Sequence, residues 1–61
     1  MTDYSIRIVR KDGQVLAIES RVMGDHAAIR RAQTLAMTGD QVEVWRGMVC
    51  IFECGPSAAV H

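Results

Sequence analysis

Two cysteines in 61 residues are too few for the disulfide framework on which many domains of this size depend. Cys50 and Cys54 stand four apart in a stretch that reads as a strand, about 13 Å of separation, so a bridge between them is not expected either. Charge of one sign is also missing. Lys plus Arg and Asp plus Glu are both 7 and the net charge is zero, so no strong field draws the chain to nucleic acid or to an anionic membrane. One Trp, one Tyr and one Phe make no interleaved series of aromatics on which bases could stack. The opening run MTDYSIRIVRK has charges embedded among its apolar residues. It therefore matches neither a secretory signal nor a bilayer span, and the expected location is cytoplasmic, with reduced thiols and no membrane contact.

What remains is globular: 49% hydrophobic and 23% charged. At this length only about 60% of the unfolded chain's surface is buried, and a lone core seldom supplies more than roughly 3–5 kcal/mol. The fold is organised around the stretch from Asp25 to Trp45. Ala28, Ile29, Ala32, Leu35 and Ala36 recur at helical spacing and draw one apolar stripe down a helix of about three turns. Asp25 is the expected N-cap and Gly39 the stop signal. Three of the five stripe residues are alanine, so the face is thin and can lie close to the sheet it covers.

Tyr4 to Arg10 alternates as a strand, with Tyr4, Ile6 and Ile8 on one side. Lys11-Asp12-Gly13 follows and suits a three-residue hairpin loop with Gly13 in the left-handed region. That loop sets Ile8 opposite Leu16 and Ile6 opposite Ile18, whereas a two-residue loop would put Glu19 against Ile6. After the helix, Gln41 to Arg46 and Met48 to Glu53 read as a second hairpin joined at Arg46-Gly47. A two-residue loop there pairs Val44 with Val49 and Val42 with Ile51 beneath the helix, leaving Trp45 across from Met48, Glu43 across from Cys50, and Phe52 beyond. The architecture is ββαββ, an α+β domain over residues 1–55, and the small polar tail 56–61 is expected to fray.

The D-G hairpin, the helix pattern D-x-x-A-x-x-x-A-x-x-L (Asp25, Ala28, Ala32, Leu35) and the run Val42-Glu43-Val44-Trp45-Arg46-Gly47 together resemble a group of very short bacterial proteins, common in alphaproteobacteria, that carry no assigned function. The resemblance runs from Tyr4 to Phe52, and V-E-V-W-x-G is its distinctive part. It implies no activity. The carboxylate run usual in that group before the helix is reduced here to Gly24-Asp25-His26.

Chemistry is sparse. Cys50, Cys54, His26 and His61 lack the close knuckle spacing of structural zinc, so no metal or other cofactor is expected. Cys50 lies in an apolar strand with neither histidine placed to deprotonate it, and the carboxylates each have a turn, cap or solvent-face explanation. No catalytic residues are assigned and the chain is not read as an enzyme.

Association is the reading left. Trp45, Met48, Cys50 and Phe52, placed on the face away from the helix, are the expected interface of a homodimer, in which the second hairpin could be exchanged across Thr38-Gly39-Asp40. Such a module would bind or regulate a protein partner not identified by sequence. The alternative is a nucleic-acid-binding protein. Six of the seven basic residues are arginine, and Arg30, Arg31, Arg7 and Arg46 are the candidate contacts.

Overall fold

A computed structural model describes residues 1–55. The elements follow the order β1 (Thr2–Val9), β2 (Val15–Val22), α1 (Asp25–Leu35), β3 (Gln41–Arg46) and β4 (Val49–Cys54). The strands form one antiparallel sheet in the order β2-β1-β3-β4, so the two hairpins join within the chain through β1 and β3. This is the expected ββαββ, α+β architecture, with the helix laid across one face.

The first hairpin has the expected register. Ile8 pairs with Leu16 and Ile6 with Ile18, and all eight residues of β1 oppose β2 without interruption. The loop closes through hydrogen bonds from the Arg10 amide to the Gln14 carbonyl at 2.7 Å and from the Gly13 amide to the Arg10 carbonyl at 2.9 Å. Gly13 has φ of 91°, a value at which a Cβ is disfavoured. The Asp12 carboxylate accepts from the Gln14 amide at 2.9 Å and so holds the turn from inside.

The second hairpin differs from the expected one. Its two-residue loop is Gly47-Met48, one position later, so that Arg46 pairs with Val49 and Trp45 with Cys50. Gly47 alone has positive φ, 62°, which is the pattern of a turn with glycine first. A bulge at Ile51 then sets Val44 opposite Phe52 and Val42 opposite Cys54, in place of the expected Val49 and Ile51. Two residues of β4 oppose one of β3, and both Ile51 and Phe52 pack against the core. Phe52 therefore lies on the helix side, not on the outer face, and Met48 occupies the hairpin tip at 95% exposure rather than facing Trp45. The bulge is favoured because it lets two large apolar side chains reach the core where a regular ladder would admit one.

The core is small: Tyr4, Ile6 and Ile8 from β1, Val42 and Val44 from β3, and Ala28 and Ala32 from the helix. The two alanines are fully buried, so the helix backbone lies close over the seam between β1 and β3. Leu16, Ile18, Val22, Leu35, Ala36, Ile51 and Phe52 surround it, half-buried.

Both helix ends depart from the sequence reading. Gly24 is the N-cap, with no side-chain capping bond, and Asp25 is the first helical residue. Its carboxylate is drawn away by two partners on the sheet: the Tyr4 hydroxyl donates to Oδ1 at 2.5 Å and Arg46 Nη1 to Oδ2 at 2.5 Å. The helix stops at Leu35 with Ala36 as C-cap, before Gly39. Asp40 ends it early. Its carboxylate accepts from the Met37 amide at 2.9 Å while its own amide donates to the Met37 carbonyl at 3.0 Å, which closes a turn in place of another helical turn. That carboxylate is 3% exposed and is neutralised by Arg10 at 2.7 Å.

Candidate interaction surfaces

Two surfaces stand out once the fold is assembled. The first is the sheet face away from the helix. Cross-strand partners share a face, so Trp45, Cys50 and Ser5 form one row, Ala17, Arg7, Glu43 and Glu53 a second, and Val15, Val9 and Gln41 a third. No element covers this face among the described residues. Trp45 lies half-buried along it, with Nε1 donating to Glu43 Oε1 at 3.2 Å, and Cys50 is exposed beside it. Of the four interface residues expected from sequence, Trp45 and Cys50 are thus on one face, Met48 is at its rim, and Phe52 is on the other side. Val9, Val15 and Ala17 add apolar area that the sequence reading did not count. The pairing of β1 with β3 puts them on the same face as Trp45, Ala17 one row away and Val9 and Val15 two rows away with Arg7 and Glu43 between, and no local signal specifies that pairing.

The second surface is a groove of about 660 Å³ between the helix and the end of β2. Val22, Met23, Ala27 and Leu35 give it an apolar lining, and His26, Arg30, Arg31 and Thr34 stand on the helix side. Met23 is 81% exposed, a large apolar side chain held in water at the mouth. Arg30 Nη2 lies 3.5 Å from His26 Nε2. Neither Arg30 nor Arg31 forms an ion pair among the described residues, whereas Arg10, Arg21 and Arg46 pair with Asp40, Asp3 and Asp25.

The four arginines proposed as nucleic-acid contacts are not gathered. Arg30 and Arg31 project from the helix, Arg46 is bound to Asp25 near the helix start, and Arg7 lies on the outer sheet face opposite Glu43. They form no single basic stripe.

Ionisation is perturbed in the Asp25 cluster. The Tyr4 hydroxyl, and then the Arg46 guanidinium, hold the Asp25 carboxyl below its ordinary value. The same hydrogen bond, supported by burial, raises the Tyr4 phenol. The arrangement pins the helix start to β1 and β3. Each oxygen of the Asp25 carboxylate accepts one of these two bonds.

Cys50 and Cys54 are free thiols, Cys50 on the outer face and Cys54 in register with Val42 on the other. No group of three His, Cys, Asp or Glu side chains that could hold a metal ion forms among the described residues. His61, like the expected frayed tail, lies outside them. No helix among the described residues is long and apolar enough to cross a membrane. Comparison with protein-family models, with curated proteins and with solved structures finds no match to this chain.

Proposed function

We propose that the chain is a small protein-interaction module, without a catalytic role, that works as a homodimer through the uncovered face of its sheet. The observation that carries this reading is the row of Trp45 and Cys50, with Ala17 one row and Val9 and Val15 two rows along the same face, which no second layer covers among the described residues. A core of seven buried apolar residues is marginal by itself, and a two-fold contact adds burial while covering the same patch on both copies. Arg7, Glu43, Glu53 and Glu19 on that face provide both signs of charge, so two copies can be offset to pair unlike charges. Exchange of the second hairpin between copies is a variant of the same reading, in which β3 would pair with β1 of the other chain. It must overcome the Asp40 turn, whose carboxylate ties Met37 to Arg10.

Sedimentation at micromolar concentration tests the reading. The expected mass is twice that of the chain, and Trp45→Lys should shift it to one, because a lysine buried at the centre of an apolar contact costs several kcal/mol. A folded monomer at that concentration removes the homodimer. A nucleic-acid role is favoured by one observation, that Arg30 and Arg31 form no ion pair among the described residues, and retention on heparin at about 50 mM salt that is lost on charge reversal of both would support it.

A further inference from the structure

The sheet has two edges, and they are not alike. β4 is six residues long and bulged at Ile51, a feature that twists an edge out of register with an incoming strand. β2 is eight residues long, pairs with β1 at every position, and contains no proline. The Arg10 amide donates to the Gln14 carbonyl, so that pair is hydrogen-bonded. Antiparallel alternation then leaves the backbone groups of Val15, Ala17, Glu19 and Arg21 directed away from β1, without ladder partners among the described residues. At the Val22 end of this edge, on the helix side, lies the groove lined by Val22, Met23, Ala27, Leu35, Arg30 and Arg31. None of its lining residues is acidic.

We propose that β2 and this groove together dock an extended segment of another protein by strand addition, and that the segment carries an apolar residue and an acidic residue two positions apart. Backbone bonds to the free groups of Val15, Ala17, Glu19 and Arg21 supply the pairing. Alternate side chains of the added strand then point into the groove, the apolar one against Val22 and Leu35 and the carboxylate toward Arg30 and Arg31, for which bidentate pairing is available. A second copy of the chain fits less well, since β2 meeting β2 would bring two Arg30-Arg31 pairs to one shared groove. The inference rests on the interaction-module reading but uses the backbone edge of β2 and the helix-side groove, not the outward side chains of the homodimer face, and each can fail without the other.

The test titrates the isotope-labelled full chain with a synthetic peptide of repeated Thr-Val-Thr-Glu, which puts valine and glutamate in turn on one face. Expected are shifted and exchange-protected amides at Val15, Ala17, Glu19 and Arg21. Binding should weaken about tenfold or more when lysine replaces glutamate in the peptide, and likewise for the chain with Arg30→Glu and Arg31→Glu, both exposed positions. Ala17→Pro should abolish binding while the fold persists, because the amide it removes does not donate to β1 and an edge strand tolerates proline there. No change at those amides with millimolar peptide overturns the proposal, as does equal affinity for the lysine peptide. Self-association that Ala17→Pro abolishes and Trp45→Lys leaves intact assigns the edge to a second copy and also overturns it. DNA retention that depends on Arg30 and Arg31, without peptide binding, assigns the groove to nucleic acid with the same result. Mass measured on the same samples keeps the two readings apart: a monomer that binds the peptide removes the homodimer alone, and a dimer that binds none removes this inference alone.

Discussion

The two hairpins use similar residues and solve their pairing differently. β1 and β2 alternate strictly, so only one register puts Tyr4, Ile6, Ile8, Leu16 and Ile18 together, and the ladder is regular over its whole length. β4 begins Val49-Cys50-Ile51-Phe52, apolar at every position, and a continuous apolar run names neither a face nor a register. The choice there falls to packing. With the bulge, Ile51 and Phe52 both reach the core and Val49 is left 54% exposed. Alternation thus makes one hairpin self-specifying, whereas the other takes its register from the core it joins.

The largest expected effect tests which hairpin holds the core. Ile8→Ala should destabilise by about 2–5 kcal/mol, comparable with the total stability of a core this size, while Phe52→Ala at its half-buried site should cost roughly half as much. Urea midpoints of the two variants check this, and a Phe52 loss as large as that of Ile8 would make the bulged hairpin an equal partner. Ala32 sits over the seam where the hairpins meet, so Ala32→Leu should destabilise by about 1–3 kcal/mol through overpacking although leucine is a good helix former. A raised thermal midpoint would instead mean that the seam has room.

Deleting Ile51 should make the second hairpin as regular as the first. The bulge should close, leaving Trp45 opposite Cys50 and Val44 opposite Phe52 as before, at a loss of about 1 kcal/mol from the half-buried isoleucine. Cross-strand nuclear Overhauser contacts would report it, and contacts between Val44 and Val49 would show that the bulge itself sets the register. The smallest effect concerns pH. The Asp25 carboxyl titrates below its ordinary value of 3.8, so the stability it contributes is present above that value and is lost as pH falls through the lower, folded one. The raised Tyr4 phenol acts oppositely: its contribution is present below about pH 10 and is lost as pH rises through its folded value. Asp25→Asn should flatten the acid limb of the stability profile below about pH 4 and leave Gly13 and the first hairpin's cross-strand contacts unmoved. An unchanged acid limb would show that the helix start is not tied to the sheet through this carboxylate.

Local residue order was enough to determine the elements, the first hairpin with its Lys11-Asp12-Gly13 loop, and the helix stripe of Ala28 and Ala32, because period and turn chemistry are properties of neighbours in the chain. It was not enough where the deciding partner is distant. Asp25 reads as a cap, yet its oxygens are taken by Tyr4 and Arg46, each 21 residues away. Gly39 reads as the helix stop, yet Asp40 ends the helix earlier while paired with Arg10 across 30 residues. Phe52 reads as outward-facing until the bulge turns it inward, and the outer faces of the two hairpins become one surface only through the pairing of β1 with β3. Carboxylates and apolar runs have several acceptable local partners of similar free energy, and only the assembled sheet, by fixing which burial and which ion pairs occur together, selects among them.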